Sequence, residues 1–159
     1  MAIKLKDNPE PNSRTAKSKA LPRKLRCDIN MGAHDIVIDE PPERGGDDSG
    51  ASPLYHFCAA LSACQTVQVA KVAQAMRLEY GEINIDTTLR TGKGEGREQD
   101  ALILRCLGVD MKISFQTSAK PTRLERLKTL SVDRCPIGAL VDDAGVELNI
   151  LWEFLPMNS

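Results

Sequence analysis

Two cysteines stand where thiol chemistry is possible, far apart in the chain and in different local settings. Cys64 closes the run Pro53-Leu-Tyr-His-Phe-Cys-Ala-Ala-Leu-Ser-Ala-Cys64, which is nearly all apolar and helical in pattern. Cys135 lies in Asp133-Arg-Cys-Pro-Ile-Gly138, directly before a proline. Proline is favoured at the first position of a helix, so Cys135 is expected at a helix N-cap. Free backbone N–H groups and the helix dipole favour a thiolate there. One cysteine buried on a helix and one poised at a helix start suggest a pair that does redox work.

Other chemistries find less support. Gly92-Lys-Gly-Glu-Gly96 has neither the Walker spacing nor the third glycine of a dinucleotide fingerprint, and reads as a hairpin loop. His34 and His56 are the two histidines, and there is no Cys-x-x-Cys. His56 and Cys64 are separated by about two helical turns, ~12 Å, and cannot share a metal within one chain. No metal or cofactor is expected. There is no Gly-x-Ser-x-Gly elbow and no legible Ser-His-Asp set. Asp39-Glu40 and Asp47-Asp48 bound a Pro/Gly loop and read as solvated loop charges.

The elements that must position the two thiols follow from periodicity. Residues 1–16 hold few apolar groups and read as a flexible basic arm, leaving 17–159 as a single domain. Residues 17–39 read as strands: Leu25, Cys27 and Ile29 alternate with polar residues, Met31-Gly-Ala33 suggests a turn, and His34–Asp39 supplies a second strand. Pro41–Gly50 is dense in breakers and reads as a loop. A long helix then runs from Pro53 to about Leu78, with Ser52 as N-cap and Gly81 able to end it. Phe57, Leu61 and Cys64 share one of its faces. Apolar residues spread around its circumference, which predicts burial on most sides and hints at a second subunit.

Glu82–Leu89 and Val109–Phe115 alternate as strands, Arg90–Asp100 reads as a glycine-rich charged loop, and 101–107 fits a strand or a short helix. Pro121–Leu130 is a helix with Thr122 and Glu125 in capping-box spacing. A short helix follows Cys135 and ends near Asp142–Gly145, and Val146–Phe154 closes the chain as a strand in which the lone Trp152 reads as core. The order β-β-α-β-β-α-α-β is that of an α+β domain.

The composition, 42% apolar and 27% charged over 159 residues, is that of a globular domain with a sizeable core. No run reaches the roughly 20 apolar residues of a membrane span. The first twenty residues carry no apolar signal region, and five cysteines are an odd number, which argues for a reducing cytoplasm over a disulfide scaffold. Cys27, Cys58 and Cys106 read as small buried hydrophobes. Residues 1–26 carry eight Lys/Arg against two Asp/Glu, yet no aromatic residue and no DNA-binding pattern, so neither a nucleic-acid nor a membrane partner is expected.

His34–Gly46, then Gly50-Ala-Ser-Pro-Leu-Tyr-His-Phe-Cys-Ala-Ala-Leu-Ser-Ala-Cys64, then Ser131-Val-Asp-Arg-Cys-Pro-Ile137 resemble the OsmC/Ohr family of osmotically induced and organic hydroperoxide resistance proteins. The resemblance runs from about residue 25 to residue 154. It implies an intertwined homodimer, with a long buried central helix against antiparallel sheets and two sites at the subunit interface. It implies a cytoplasmic thiol peroxidase acting on small organic hydroperoxides and recycled by a dithiol reductant. Carried over, Cys64 is the peroxidatic cysteine and Cys135 the resolving one. Arg23, or else Arg26, is the arginine that assists the thiolate. One position departs from the hydroperoxide-resistance pattern: Leu54 stands where those proteins have a glutamate after the proline. A non-catalytic member binding a small apolar or oxidised ligand at the dimer interface is the alternative reading.

Overall fold

The computed structural model describes residues 13–96 and 102–157. Most of the basic arm, residues 1–12, lies outside the described residues, and 13–16 carry neither helix nor strand. The chain divides into two compact units, with the boundary after Phe57.

The first unit is an antiparallel three-stranded sheet, β1 (Lys17–Ala20), β2 (Cys27–Met31) and β3 (His34–Ile38), followed by a loop with a short 3-10 turn at Pro42–Arg44. Met31 pairs with His34 across a two-residue turn. Gly32 takes the positive φ of 72° that such a turn requires at its first central position. Strand β1 is an addition to the two strands expected from alternation. Its sequence Lys-Ser-Lys-Ala has no apolar period, and it exists because it pairs with β2.

Asp39 is the one buried residue among the described residues of this unit, at 1% exposure. It is therefore not a solvated loop charge. Its Oδ1 accepts from the Glu40 N–H at 2.9 Å. Its Oδ2 accepts from the Asp47 and Ser49 N–H groups, each at 3.1 Å, and from the Ser49 hydroxyl at 2.8 Å. The breaker-rich loop thus folds around one carboxylate. Burial by itself would raise the Asp39 carboxyl, but these four donors hold it down at about 2. Gly46 makes the wrap possible: a Cβ there would lie 1.7 Å from the Glu40 carbonyl oxygen.

The second unit places helices on a mixed three-stranded sheet. Helix α1 spans Pro53–Ala75 and enters this unit at Cys58. Strands β4 (Tyr80–Glu95) and β5 (Leu102–Thr117) form a long antiparallel pair, and β6 (Glu147–Leu155) lies parallel to β5. The expectation of antiparallel sheets therefore fails at β5–β6, where α2 (Pro121–Asp133) and α3 (Pro136–Asp143) supply the crossover a parallel pair needs. Val109, Met111, Ile113 and Phe115 are buried on one face of β5, while Asp110, Lys112 and Ser114 alternate on the other. Val69, Val72 and Ala73 of α1 join Leu78, Phe115 and Leu127 in the core. Trp152 packs against it, stacked on Phe154 at 5.8 Å. Ser62 of α1 donates to the Thr87 hydroxyl of β4 at 2.6 Å.

Several boundaries depart from the periodic reading. Strand β4 continues to Glu95, so Gly92 and Gly94 are ladder residues opposite Arg105 and Ile103 rather than a loop. Residues 102–107 are strand, because they complete that ladder. Helix α2 starts at Pro121 with Lys120 as an N-cap that makes no side-chain bond, so the Thr122/Glu125 capping box does not form. On α1 the buried residues are Leu61, Gln65, Val69, Val72 and Ala73, a single stripe, while Tyr55 and Val67 are exposed. In the single chain the helix is not buried on most sides.

Helix α1 ends before Gly81. The Leu78 N–H reaches back to the Ala73 carbonyl and the Arg77 N–H to the Gln74 carbonyl, each at 2.9 Å. Arg77 takes φ 51°. This is a Schellman closure with an arginine where glycine is favoured. Arg77→Gly is expected to stabilise the protein by about 0.5–1 kcal/mol, read as a raised thermal midpoint. An unchanged or lowered midpoint would show that the arginine side chain offsets its backbone strain.

Candidate thiol site

Alanine-rich sequence and apolar residues in helical register make α1, and they set Cys64 beside the buried Leu61–Gln65 stripe. Cys64 is itself half-buried. Cys135 is placed by the junction between α2 and α3. Its N–H donates to the Val132 carbonyl at 3.0 Å, closing α2. Its backbone is extended, at φ −86° and ψ 99°, and Pro136 then opens α3. The Gly138 N–H donates to the Cys135 Sγ at 3.3 Å, and the Ala139 N–H to the Cys135 carbonyl at 2.9 Å. Cys135 is an N-cap, as its sequence setting predicts.

The structure brings the two thiols near each other: the Cys64 side chain is close enough to act on the Cys135 thiol and raise it. Two expectations about them are reversed. Cys135, not Cys64, is the fully buried member, at 1% exposure. The N-cap also does not leave Cys135 as a thiolate. Burial first, and the Cys64 thiol second, push its thiol up to about 11 against the opposing pull of the Gly138 and Ile137 N–H groups. Desolvation outweighs the N-terminal donors. At neutral pH Cys135 therefore keeps its proton.

The shift has a consequence for stability. With the folded thiol near 11 and an unfolded thiol near 9, the contribution is complete below pH 9. It is lost as the pH climbs from about 9 to about 11, and amounts to about 2–3 kcal/mol in all. Urea unfolding across that window is expected to show a steeper loss for the native chain than for Cys135→Ser. Equal slopes would contradict it.

The remaining candidates fall elsewhere. Arg23 sits in the exposed turn between β1 and β2 with φ 63°, outside any strand. Arg26 precedes β2 and pairs with Asp28 at 2.8 Å. Both arginines belong to the first unit and the thiol pair to the second. Cys27 and Cys58 are half-buried and Cys106 is exposed, so none of the three is the buried hydrophobe expected. Asp39 was missed as an organising residue. Its signal was an acid at a strand end, ahead of a loop holding glycine, aspartate and serine. Among the described residues no helix is long and apolar enough to cross a membrane.

With that geometry in place, the sequence matches the OsmC-like protein family over residues 46–150, a span that holds both Cys64 and Cys135. The chain belongs to the OsmC-like family. Solved structures agree on the fold. An OsmC-like protein from Mycoplasma pneumoniae superposes with a TM-score of 0.74 at 12% identity, covering 92% of this chain and 99% of that one. The organic hydroperoxide resistance protein OsmC of Legionella pneumophila gives 0.60 at 13% identity, with 91% and 97% covered. The organic hydroperoxide resistance protein OhrB of Bacillus subtilis gives 0.63 at 15% identity, with 89% and 98% covered. Among curated proteins none matches this chain. The OsmC-like fold expected from the sequence boxes is thus the observed one.

Proposed function

We propose that this OsmC-like chain is a thiol peroxidase that reduces organic hydroperoxides in oxidative-stress defence. The observation that carries the reading is the meeting of Cys64 and Cys135, one half-buried and one fully buried. Family membership supports a stress-related redox role. The Legionella pneumophila and Bacillus subtilis proteins of the same fold, described as organic hydroperoxide resistance proteins, support the substrate class.

In this reading Cys64 is peroxidatic and Cys135 resolving. The Cys64 thiolate attacks the terminal oxygen of the hydroperoxide. The S–O bond forms, the O–O bond breaks, and the departing oxygen takes a proton and leaves as an alcohol. Cys64 is then a sulfenic acid. The Cys135 sulfur attacks it; the S–S bond forms and the S–O bond breaks. The hydroxide leaves as water with the Cys135 proton, and two electrons have passed from the thiols to the peroxide. An external dithiol restores the pair. A resolving thiol that stays protonated until needed suits this order, because it does not compete for the peroxide.

Arg23 is the proposed partner of the Cys64 thiolate, with Arg26 the second candidate. Leu54 cannot supply the carboxylate that a glutamate at that position would offer the arginine, and slow turnover is expected. The working form is proposed to be a cytoplasmic homodimer. Leu102, Leu104, Leu107 and Leu151 are exposed on the second unit, and a second copy of the chain would cover such apolar side chains.

The test is treatment with one equivalent of an organic hydroperoxide, followed by peptide mapping and a steady-state assay with a dithiol. A Cys64–Cys135 disulfide and faster consumption of the organic peroxide than of hydrogen peroxide are expected. Two free thiols, or a bridge to Cys58 or Cys106, would overturn the reading.

A further inference from the structure

We infer that forming the Cys64–Cys135 disulfide uncaps helix α3, so that Pro136–Asp143 is the segment whose stability follows the redox state of the pair. The inference rests on the reading that these two thiols join. One sulfur faces both the start of α3 and the Cys64 thiol. The Cys135 Sγ accepts the Gly138 N–H at 3.3 Å, and the Cys64 side chain is near enough to act on the same thiol. It can serve both while both are thiols. A disulfide draws the sulfurs to about 2.05 Å and holds the torsion about the new bond near a right angle. In the proposal the Cys135 sulfur is drawn toward Cys64 on α1. A sulfur bonded to carbon and to sulfur is also a weak acceptor. The Gly138 N–H is left with a poorer partner or none.

Little else secures that end of α3. The helix has eight residues, too few to persist on its own propensity. Only Gly138 and Val141 are buried, and Leu140 is 66% exposed. Position 138 offers no side chain to fill the space: a Cβ there would lie 3.4 Å from both the Cβ and the Sγ of Cys135. The other end is closed independently. The Gly145 N–H reaches the Asp142 carbonyl at 2.9 Å and the Val146 N–H the Val141 carbonyl at 3.2 Å. Loosening therefore starts at the first turn, where the cap was, and the C-terminal turn is held.

Hydrogen exchange on the full chain tests this. The disulfide form is prepared with diamide, which takes up the two thiol hydrogens and becomes the hydrazine, so no peroxidase activity is needed. Loss of a side-chain N-cap corresponds to about a three- to thirty-fold increase in opening. Amides in 136–143 are expected to exchange faster by that factor in the disulfide form, with β5 and β6 unchanged. Cys64→Ser should abolish the response to diamide. Cys135→Ser, which keeps a capping oxygen, should protect α3 with or without oxidant. Equal exchange in the dithiol and disulfide forms, or faster exchange spread evenly over α2 and β6, would overturn the inference. A disulfide that forms with diamide but not with hydroperoxide would sink the peroxidase reading alone, and the exchange data would still decide this one. Failure to cross-link with either oxidant would remove both.

Discussion

Cys64→Ser is expected to abolish hydroperoxide reduction, with kcat/KM falling by about 10³-fold or more. A serine hydroxyl at the same place is almost never ionised at neutral pH, and the thiolate is the nucleophile. Cys135→Ser should behave differently. Serine is a preferred N-cap residue, so α3 keeps its start. Without a second thiol the protein should consume one equivalent of peroxide per chain and then stall at the Cys64 sulfenic acid. A sulfenic-acid trapping reagent and the size of the initial burst measure both outcomes. Full multiple turnover in Cys135→Ser without added thiol would show that Cys135 is not the resolving group. Undiminished activity in Cys64→Ser would move the chemistry to another residue altogether.

Asp39→Ala is expected to unfold the loop between β3 and α1. Four donors converge on that buried carboxylate. A buried N–H deprived of its acceptor costs about 1–3 kcal/mol, and three of them are backbone groups that no side-chain rotation can redirect. Asp39→Asn should be nearly as harmful, because the asparagine amide nitrogen cannot accept from the two N–H groups and the hydroxyl that share Oδ2. The readout is tryptic cleavage after Arg44, inside the loop, which should accelerate at least about ten-fold through local opening. The native loop should also respond to acid with a defined sign. The Asp39 carboxyl is held at about 2, below its ordinary value of 3.8. Its contribution is thus complete above pH 4 and lost as the pH falls from about 4 toward 2. Protease resistance of the alanine variant equal to that of the native loop would mean the carboxylate is dispensable.

Much of this was legible in the chain itself. Period-2 alternation in Glu82–Leu89 and Val109–Phe115 marked strands, because one face of each is more covered than the other, while the alternation from Leu25 to Ile29 marked β2 although the strand starts only at Cys27 and Leu25 is exposed. Pro136 after Cys135 fixed the start of α3, since a locked φ and a missing N–H suit only the first helical position. The boxes ending at Cys64 and spanning Cys135 identified the family before any geometry was known.

What only the tertiary structure decided are quantities that depend on several segments at once. Burial of Cys135 set the protonation of its thiol, and local sequence carries the N-cap but not the desolvation. The parallel pairing of β6 with β5 required α2 and α3 to cross over the sheet, and alternation within β6 is blind to the direction of its neighbour. Strand β1 and the upper part of β4 exist through ladder pairing with partners, without an apolar period of their own. Asp39 looked like any exposed acid because its value comes from donors eight and ten residues downstream. Helix closure at Arg77 is invisible to propensity, because the backbone bonds of Leu78 and Arg77 offset the cost of a left-handed arginine where a glycine would be favoured.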